Sequence, residues 1–359
     1  MEQSKIDALR ALPVAAFDHL IDGKKVPASD GGRMNVVSPI DGVILTTMAA
    51  GTVPDMENAI ASARTSFEDG RWSNQPPAAR KKVLIKWADL IEANALELAV
   101  LGVRDNGTEI GMALKAEPGS AAATIRYYAE ALDKIYGEIA TTPNDILGMI
   151  HKEPVGVVGA IIPWNFPMMI GAWKLGPALA MGNSVVLKPS EAASLSLMRM
   201  AELALEAGLP PGVLNAVTGE GRVVGEALGL SMDVDVLVFT GSGAIGRRLM
   251  EYAARSNMKR VYLELGGKSP NIVFTDAPNL DEAAKVAAGG IFRNSGQVCV
   301  AGSRLLVEAS IHDEFVAAVV KASEAMRVGD PLKLDTHIGA VNSEAQLKAN
   351  LSFVETAKT

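Results

Sequence analysis

At 359 residues, 48% hydrophobic and 21% charged, the chain has a globular composition, is long enough for two domains, and is not a largely disordered protein. Its 34 basic and 41 acidic residues give a net charge of −7 without long runs of one sign, which argues against nucleic acid or a membrane surface as a partner. One cysteine cannot form an internal disulfide, MEQSKIDALR lacks a hydrophobic signal core, and no apolar run reaches membrane-spanning length, so a soluble cytoplasmic protein is expected.

His19 to Ser38 breaks short apolar runs with Asp-Gly and Gly-Gly pairs, the pattern of small strands and tight turns, and reads as peripheral. From Val53 the period turns helical: Met56, Ala59, Ile60, Ala63 and Phe67 recur at three- and four-residue steps behind Pro54 at a first-turn position. Leu84, Trp87, Ala88, Ile91 and Leu98 repeat the pattern after Pro76-Pro77. Ala121 to Ile135 predicts a third helix, with Tyr127, Tyr128 and Leu132 reading as core. Between Gly137 and Pro154 that period stops. Polar residues and a short strand, Ile146 to Ile150, predict a strand pair with an exposed edge, either an ordinary excursion or a contact with another subunit.

From Val155 buried strands alternate with helices, which predicts a parallel sheet covered on both faces. The strands are Val155–Ile162, Ser184–Leu187, Val213–Val217, Val236–Phe239 and Arg260–Glu264; the helices are Met168–Ala180, Leu195–Ala207, Val223–Leu228 and Ala244–Ala254. Such a sheet takes ligands at the carboxyl ends of its strands, so a nucleotide-binding fold is expected. Gly241-Ser242-Gly243-Ala244-Ile245-Gly246 spells GxGxxG, with Glu264 at the distance of a ribose-binding acid. It follows the fourth strand instead of opening the first unit, so the dinucleotide fingerprint is not assigned, although a glycine turn at a helix start suits pyrophosphate or nicotinamide.

The first strand runs into Ile161-Ile162-Pro163-Trp164-Asn165-Phe166-Pro167. Two prolines bracket Asn165 and limit its backbone, which would hold its amide as a fixed donor to charge developing on oxygen. The second strand ends in Lys188-Pro189-Ser190-Glu191, a cation and an anion at the binding edge, or by default a surface ion pair. Cys299 lies in NSGQVCVAGSR between Gly296 and Gly302, where the backbone bends and other groups approach closely. That is a setting for a nucleophile, although the default for a lone thiol is a buried small hydrophobe.

Taken together and in this order, PWNFP, KPSE, FTGS, ELGGKSPNIVF and GQVC resemble the aldehyde dehydrogenase superfamily, from about Phe17 to the end of the chain. Tyr127 to Glu138 and Ser256 to Glu264 are similar to its γ-glutamyl-γ-aminobutyraldehyde and ω-aminoaldehyde branch. The resemblance implies an α/β fold with a Rossmann-like parallel-sheet NAD-binding domain, whose amino-terminal part is 1–138 and core 155–265. It also implies a small β oligomerisation arm at 139–154, an incomplete α/β catalytic domain at 266–359, and a homodimer or homotetramer.

In that resemblance Cys299 attacks the aldehyde carbonyl, the oxyanion rests on the Asn165 side chain and the Cys299 amide, and hydride passes to NAD. Glu264 then activates water to release a carboxylic acid. The implied cofactor residues are Ile161, Ile162, Pro163, Trp164, Lys188, Ser190, Glu191, Gly221, Phe239, Thr240, Gly241, Ser242, Ile245, Leu265 and Gly266. Lys188 would bond cofactor ribose and Glu191 the adenosine ribose hydroxyls; a carboxylate there disfavours a 2′-phosphate, so NAD is expected over NADP. No metal is implied.

Phe166, Met169, Trp173 and Val298 are candidates for an apolar aldehyde tunnel, the helical ones reading as core by periodicity. Glu117, near the expected tunnel mouth, either meets a cationic substrate or is an exposed helix-end carboxylate. Gly243 departs from the family, which commonly carries a side chain there. The superfamily ordinarily continues past the last residue here, through a Glu-Ile-Phe-Gly-Pro segment and the rest of the catalytic domain. Two expectations follow: a piece of an NAD-dependent aldehyde dehydrogenase, or a truncated non-catalytic protein keeping nucleotide binding or an interaction surface. A thiol hydrolase is weaker, since no motif supplies a histidine beside Cys299 and His312 reads as a surface residue.

Overall fold

The computed structural model describes residues 2–359 and centres on one seven-stranded sheet. The chain opens with α1 (Gln3–Ala11), whose Ile6 is buried with Val100 and Val103 of a later helix. Four short strands follow: β1 (His19–Ile21), β2 (Lys24–Val26), β3 (Arg33–Val37) and β4 (Ile44–Ala49). Helix α2 (Val53–Glu68) starts where a capping box dictates: the Thr52 hydroxyl accepts the Asp55 N–H, and the Asp55 carboxylate accepts the Thr52 N–H at 2.9 Å. The single apolar run expected after Pro76-Pro77 is two helices, α3 (Pro77–Ala93) and α4 (Ala95–Asn106), broken at Asn94. Helix α5 (Ile110–Leu114) continues through a π-helical turn at Lys115–Gly119, where Pro118 removes a backbone donor, into α6 (Ser120–Ala131).

The hairpin of β5 (Glu138–Ala140) and β6 (Gly148–Ile150) is an antiparallel pair joined to no other strand. The alternating segment then gives β7 (Val157–Ile161), α7 (Pro167–Ala180), β8 (Ser184–Lys188), α8 (Leu195–Ala207), β9 (Leu214–Ala216), α9 (Glu226–Leu230), β10 (Val236–Gly241), α10 (Gly243–Ala254) and β11 (Arg260–Leu265). After it come β12 (Pro270–Val273), α11 (Leu280–Phe292), β13 (Arg304–Val307), α12 (His312–Glu324) and α13 (Glu344–Lys358). Strands β12 and β13 pair in parallel, and α11 and α12 bury Ala284 and Phe315 with Val273 in a small core of their own.

The main sheet runs β11-β10-β7-β8-β9-β1-β2, parallel from β11 to β9 and antiparallel beyond. One face carries the largest core, where Trp87, Ile125, Leu175 and Leu197 meet; the other is covered by Met56, Ile60, Leu228 and Leu249. Two expectations are corrected. His19–Ile21 is not peripheral: all of β1 is buried, and it closes the sheet against β9 because an apolar strand satisfies both its backbone and its side chains there. Tyr127 is not core but 68% exposed, stacked edge-to-face on Tyr128. No helix among the described residues is long and apolar enough to cross a membrane.

Candidate active site

Strands β7, β8 and β10 end side by side, Ile161 in register with Lys188 and with Phe239. Since β8 and β9 lie to one side of β7 and β10 and β11 to the other, the crevice above these ends is the switch point where such sheets take ligands. It is a cleft of about 640 Å³ lined by Ile161, Ile162, Pro163, Trp164, Lys188, Ser190, Glu191, Gly221, Phe239, Thr240, Gly241, Ser242 and Ile245. Met34, Arg222, Arg248 and Tyr252 also line it. Sequence reasoning missed these because they come from separate elements without a motif; only Arg222, next to Gly221, carried a local signal.

The Lys188-Pro189-Ser190-Glu191 turn does form an ion pair, with an exposed anion but a buried cation. The Lys188 side chain is buried, its Nζ lies 2.6 Å from Glu191 Oε2, and Glu191 Oε1 accepts the Gly221 N–H at 3.4 Å. Burial works against a charge on Glu191, but the Lys188 ammonium and the Gly221 N–H outweigh it and hold the carboxyl below its ordinary range. Thr240 Oγ1, at the same strand ends, is buried without a hydrogen-bond partner. At the start of α10, Ser242 Oγ accepts the Ile245 N–H at 3.4 Å. A Cβ at Gly243 would meet only Arg247 Nη1 at 3.9 Å, whereas one at Gly246 would come within 2.9 Å of Leu265. The last glycine of GxGxxG therefore serves helix–strand packing, and Gly243 is free to vary. An orphaned hydroxyl, a helix start and a carboxylate in a cleft of this size fit a dinucleotide.

The cleft opens onto a pocket of about 340 Å³ that shares Pro163, Trp164, Thr240, Gly241 and Ser242 with it and adds Asn165, Leu265, Gly266, Gln297 and Cys299. The thiol is half-buried. Asn165 Nδ2 donates to the Gln297 carbonyl at 2.9 Å while Oδ1 accepts the Phe166 N–H at 3.1 Å, so the amide is held at both ends. Gln346 and Asn350 of α13 complete the wall; their four-residue spacing on one helix face was the only trace of this in the sequence.

Other expected residues lie elsewhere. Glu264 does not line the thiol pocket. Successive strand residues face opposite ways, so the Leu265 side chain turns to Gly246 of α10 at the border of the thiol pocket while Glu264 lines a neighbouring cleft of about 460 Å³ with Trp173 and Lys174. Burial pushes the Lys174 ammonium below its ordinary pKa, and the Glu264 charge opposes that shift. Trp173 sits in this second cleft, and Phe166, Met169 and Val298 pack into the main core, as the periodicity of the helical ones suggested.

Glu117 is neither at a tunnel mouth nor exposed. It is buried, its Oε2 accepting the Met168 and Met169 N–H groups at 2.8 and 3.0 Å at the start of α7, and its Oε1 has no partner. The π-helical turn carries it inward, to donors that a helix start leaves unpaired. No cluster of side chains suited to a metal ion is found among the described residues.

Fold and site together define a nucleotide-binding α/β protein whose cleft ends at a thiol. The Aldehyde dehydrogenase family profile matches residues 26–359. The NADP/NAD-dependent aldehyde dehydrogenase PuuC of Escherichia coli is 49% identical over 351 residues, which cover 98% of this chain and 71% of PuuC. The aminoacetaldehyde dehydrogenase of Pseudomonas aeruginosa is 42% identical over 358 residues, 100% of this chain and 72% of the relative. The solved structure of an indole-3-acetaldehyde dehydrogenase in complex with NAD+ superposes with a TM-score of 0.97 at 47% identity, covering 99% of this chain and 72% of that one. The chain belongs to the aldehyde dehydrogenase family, and its activity is the NAD-dependent oxidation of an aldehyde.

Proposed function

We propose that the chain oxidises an aldehyde, of the aminoaldehyde class, to the carboxylic acid through a thioester on Cys299, in a cytoplasmic homo-oligomer. The observation that supports this reading is the wall shared between the nucleotide cleft and the thiol pocket, on whose two sides a bound hydride acceptor and the Cys299 nucleophile would meet. When bound, NAD supplies the hydride acceptor. Cys299, as the thiolate, forms the carbon–sulfur bond to the carbonyl carbon, and the carbonyl π pair moves to the oxygen, which takes the negative charge. Asn165 has one amide hydrogen committed to the Gln297 carbonyl, so its second is left to meet that oxygen together with the Cys299 N–H. Loss of hydride leaves the thioester.

Glu264, exposed and without a hydrogen bond or ion pair among the described residues, is free to swing from the Lys174 side and take a proton from attacking water. Hydrolysis then frees acid and thiol. Lys188 and Glu191 hold ribose hydroxyls, and the Glu191 charge favours NAD over NADP. The aminoaldehyde class rests on likeness to the aminoacetaldehyde dehydrogenase.

Cys299→Ala should abolish dehydrogenase turnover. Glu264→Gln should give a burst of NADH approaching one per active site, followed by turnover slowed about a hundredfold to ten-thousandfold. Full steady-state turnover in Glu264→Gln would remove the general base from this mechanism, and turnover in Cys299→Ala would remove the nucleophile.

A further inference from the structure

Three consecutive residues just before the thiol adopt left-handed backbone: Asn294 at φ 49°, Ser295 at φ 55° and Gly296 at φ 76°. Glycine does so freely and asparagine more readily than most residues, but Ser295 pays about 1–2 kcal/mol for it. This geometry is therefore imposed by what grips the loop. Ser295 Oγ donates to the Gly339 carbonyl at 3.1 Å, Gln297 Nε2 to the Asn294 carbonyl at 3.1 Å, and the Asn342 N–H to Gln297 Oε1 at 2.9 Å. The shortest grip comes from far away in sequence. Thr108 Oγ1, in the turn between α4 and α5, donates to Asn294 Oδ1 at 2.7 Å across 186 residues. Both side chains are buried, at 1% exposure each.

The Thr108 turn is itself fixed. Its N–H donates to Asn106 Oδ1 at 3.0 Å, the neighbouring Gly107 carbonyl accepts the Ala340 N–H at 3.0 Å, and the Ile110 N–H donates to the Pro331 carbonyl at 2.8 Å. The hydroxyl hydrogen has one acceptor, Asn294, and caps no helix. From Asn294 the contacts run to Gln297, and the Gln297 carbonyl receives the Asn165 amide at 2.9 Å. We propose that Thr108 is a positioning residue for the reaction centre: its hydroxyl locks Asn294 in the left-handed turn that aims the Cys299 thiol and sets the Gln297 carbonyl on which Asn165 is oriented.

This rests on the roles given above to Cys299 and Asn165, but its test needs no turnover. Because Cys299 is the only cysteine, the rate of alkylation by iodoacetamide reports one site. Thr108→Val keeps the shape and removes the hydroxyl, leaving buried Asn294 Oδ1 unpaired; Thr108→Ser keeps the hydroxyl. At a temperature where circular dichroism shows all proteins folded, Thr108→Val should slow alkylation about tenfold, a misaimed reactive group costing up to a hundredfold. Thr108→Ser should restore the rate. Should Thr108→Val fail to fold, Asn294→Ala, which removes the acceptor, carries the same expectation. In a turnover assay Thr108→Val should lower kcat with the KM for NAD unchanged. Parent-like alkylation in the hydroxyl-free variant, or equal slowing in Thr108→Ser, would overturn the proposal, leaving the mechanism itself to be judged by the burst experiment.

Discussion

Glu117 and Asp105 are carboxyl groups sealed from solvent at the starts of the two helices that follow the cofactor strands. Asp105 accepts the Leu195 N–H at 2.7 Å, as Glu117 accepts Met168 and Met169. Burial pushes Glu117 up to about 8 and Asp105 to about 7, against the pull of the helix N–H donors. In the unfolded chain each ionises near pH 4, so between there and about 8 the folded state holds the extra proton. Stability thus falls as pH rises through that window and levels off above it. Glu117→Gln keeps an acceptor for both N–H groups and cannot ionise. Its urea midpoint should fall less between pH 6 and pH 8.5 than the parent's, and identical slopes would show that Glu117 is already ionised at pH 6. Glu191 makes a second case. Glu191→Gln removes the charge facing a 2′-phosphate and frees the buried Lys188 ammonium to meet it. The ratio of kcat/KM for NADP to that for NAD should rise about tenfold, a change of ~1.4 kcal/mol; an unchanged ratio would show that cofactor choice lies elsewhere in the cleft.

At the scale of elements, the β5–β6 hairpin stands apart. Its two strands pair only with each other, and Ile139 and Met149 are 76% and 74% exposed. An isolated two-stranded hairpin is marginal in water, and its open edges invite another chain. We expect pairing with a neighbouring subunit, so sedimentation velocity should show concentration-dependent association in the parent and less of it in the double variant Ile139→Lys, Met149→Lys. Equal distributions for the two would rule the arm out as an interface. The arm's strand pair and the helices α2, α7, α8 and α10 were legible because their signals are local: period, proline position and caps. The start of β1 was visible but its partner was not, since nothing in His19–Ile21 names a strand so far along the chain. Most of the residues that line the cleft were legible for a related reason, standing at or near a strand end within a few residues of a motif, whereas Met34, Arg222, Arg248 and Tyr252 were not. Glu117, Glu264 and Thr108 were misplaced or unnoticed because their positions depend on which way a π-helical turn, a strand pleat or a buried hydroxyl faces.

For the molecule as a whole, the order of strands in the sheet differs from their order in the chain. Strand β1 meets β9 at Leu20 and Ala216, and the Asp22 N–H donates to Asn215 Oδ1 from a partner 193 residues distant. During synthesis at about 5–20 residues per second, the first strand therefore waits roughly 10–40 s before β9, its neighbour on the side away from β2, emerges. Through that interval His19–Ile21, wholly buried in the finished protein, has only β2 to pair with. The amino-terminal strands therefore join the sheet only once β9 has emerged, and β10 and β11, later still in the chain, complete its opposite edge, so the segment must be kept from foreign pairing for most of the time the sheet takes to be made.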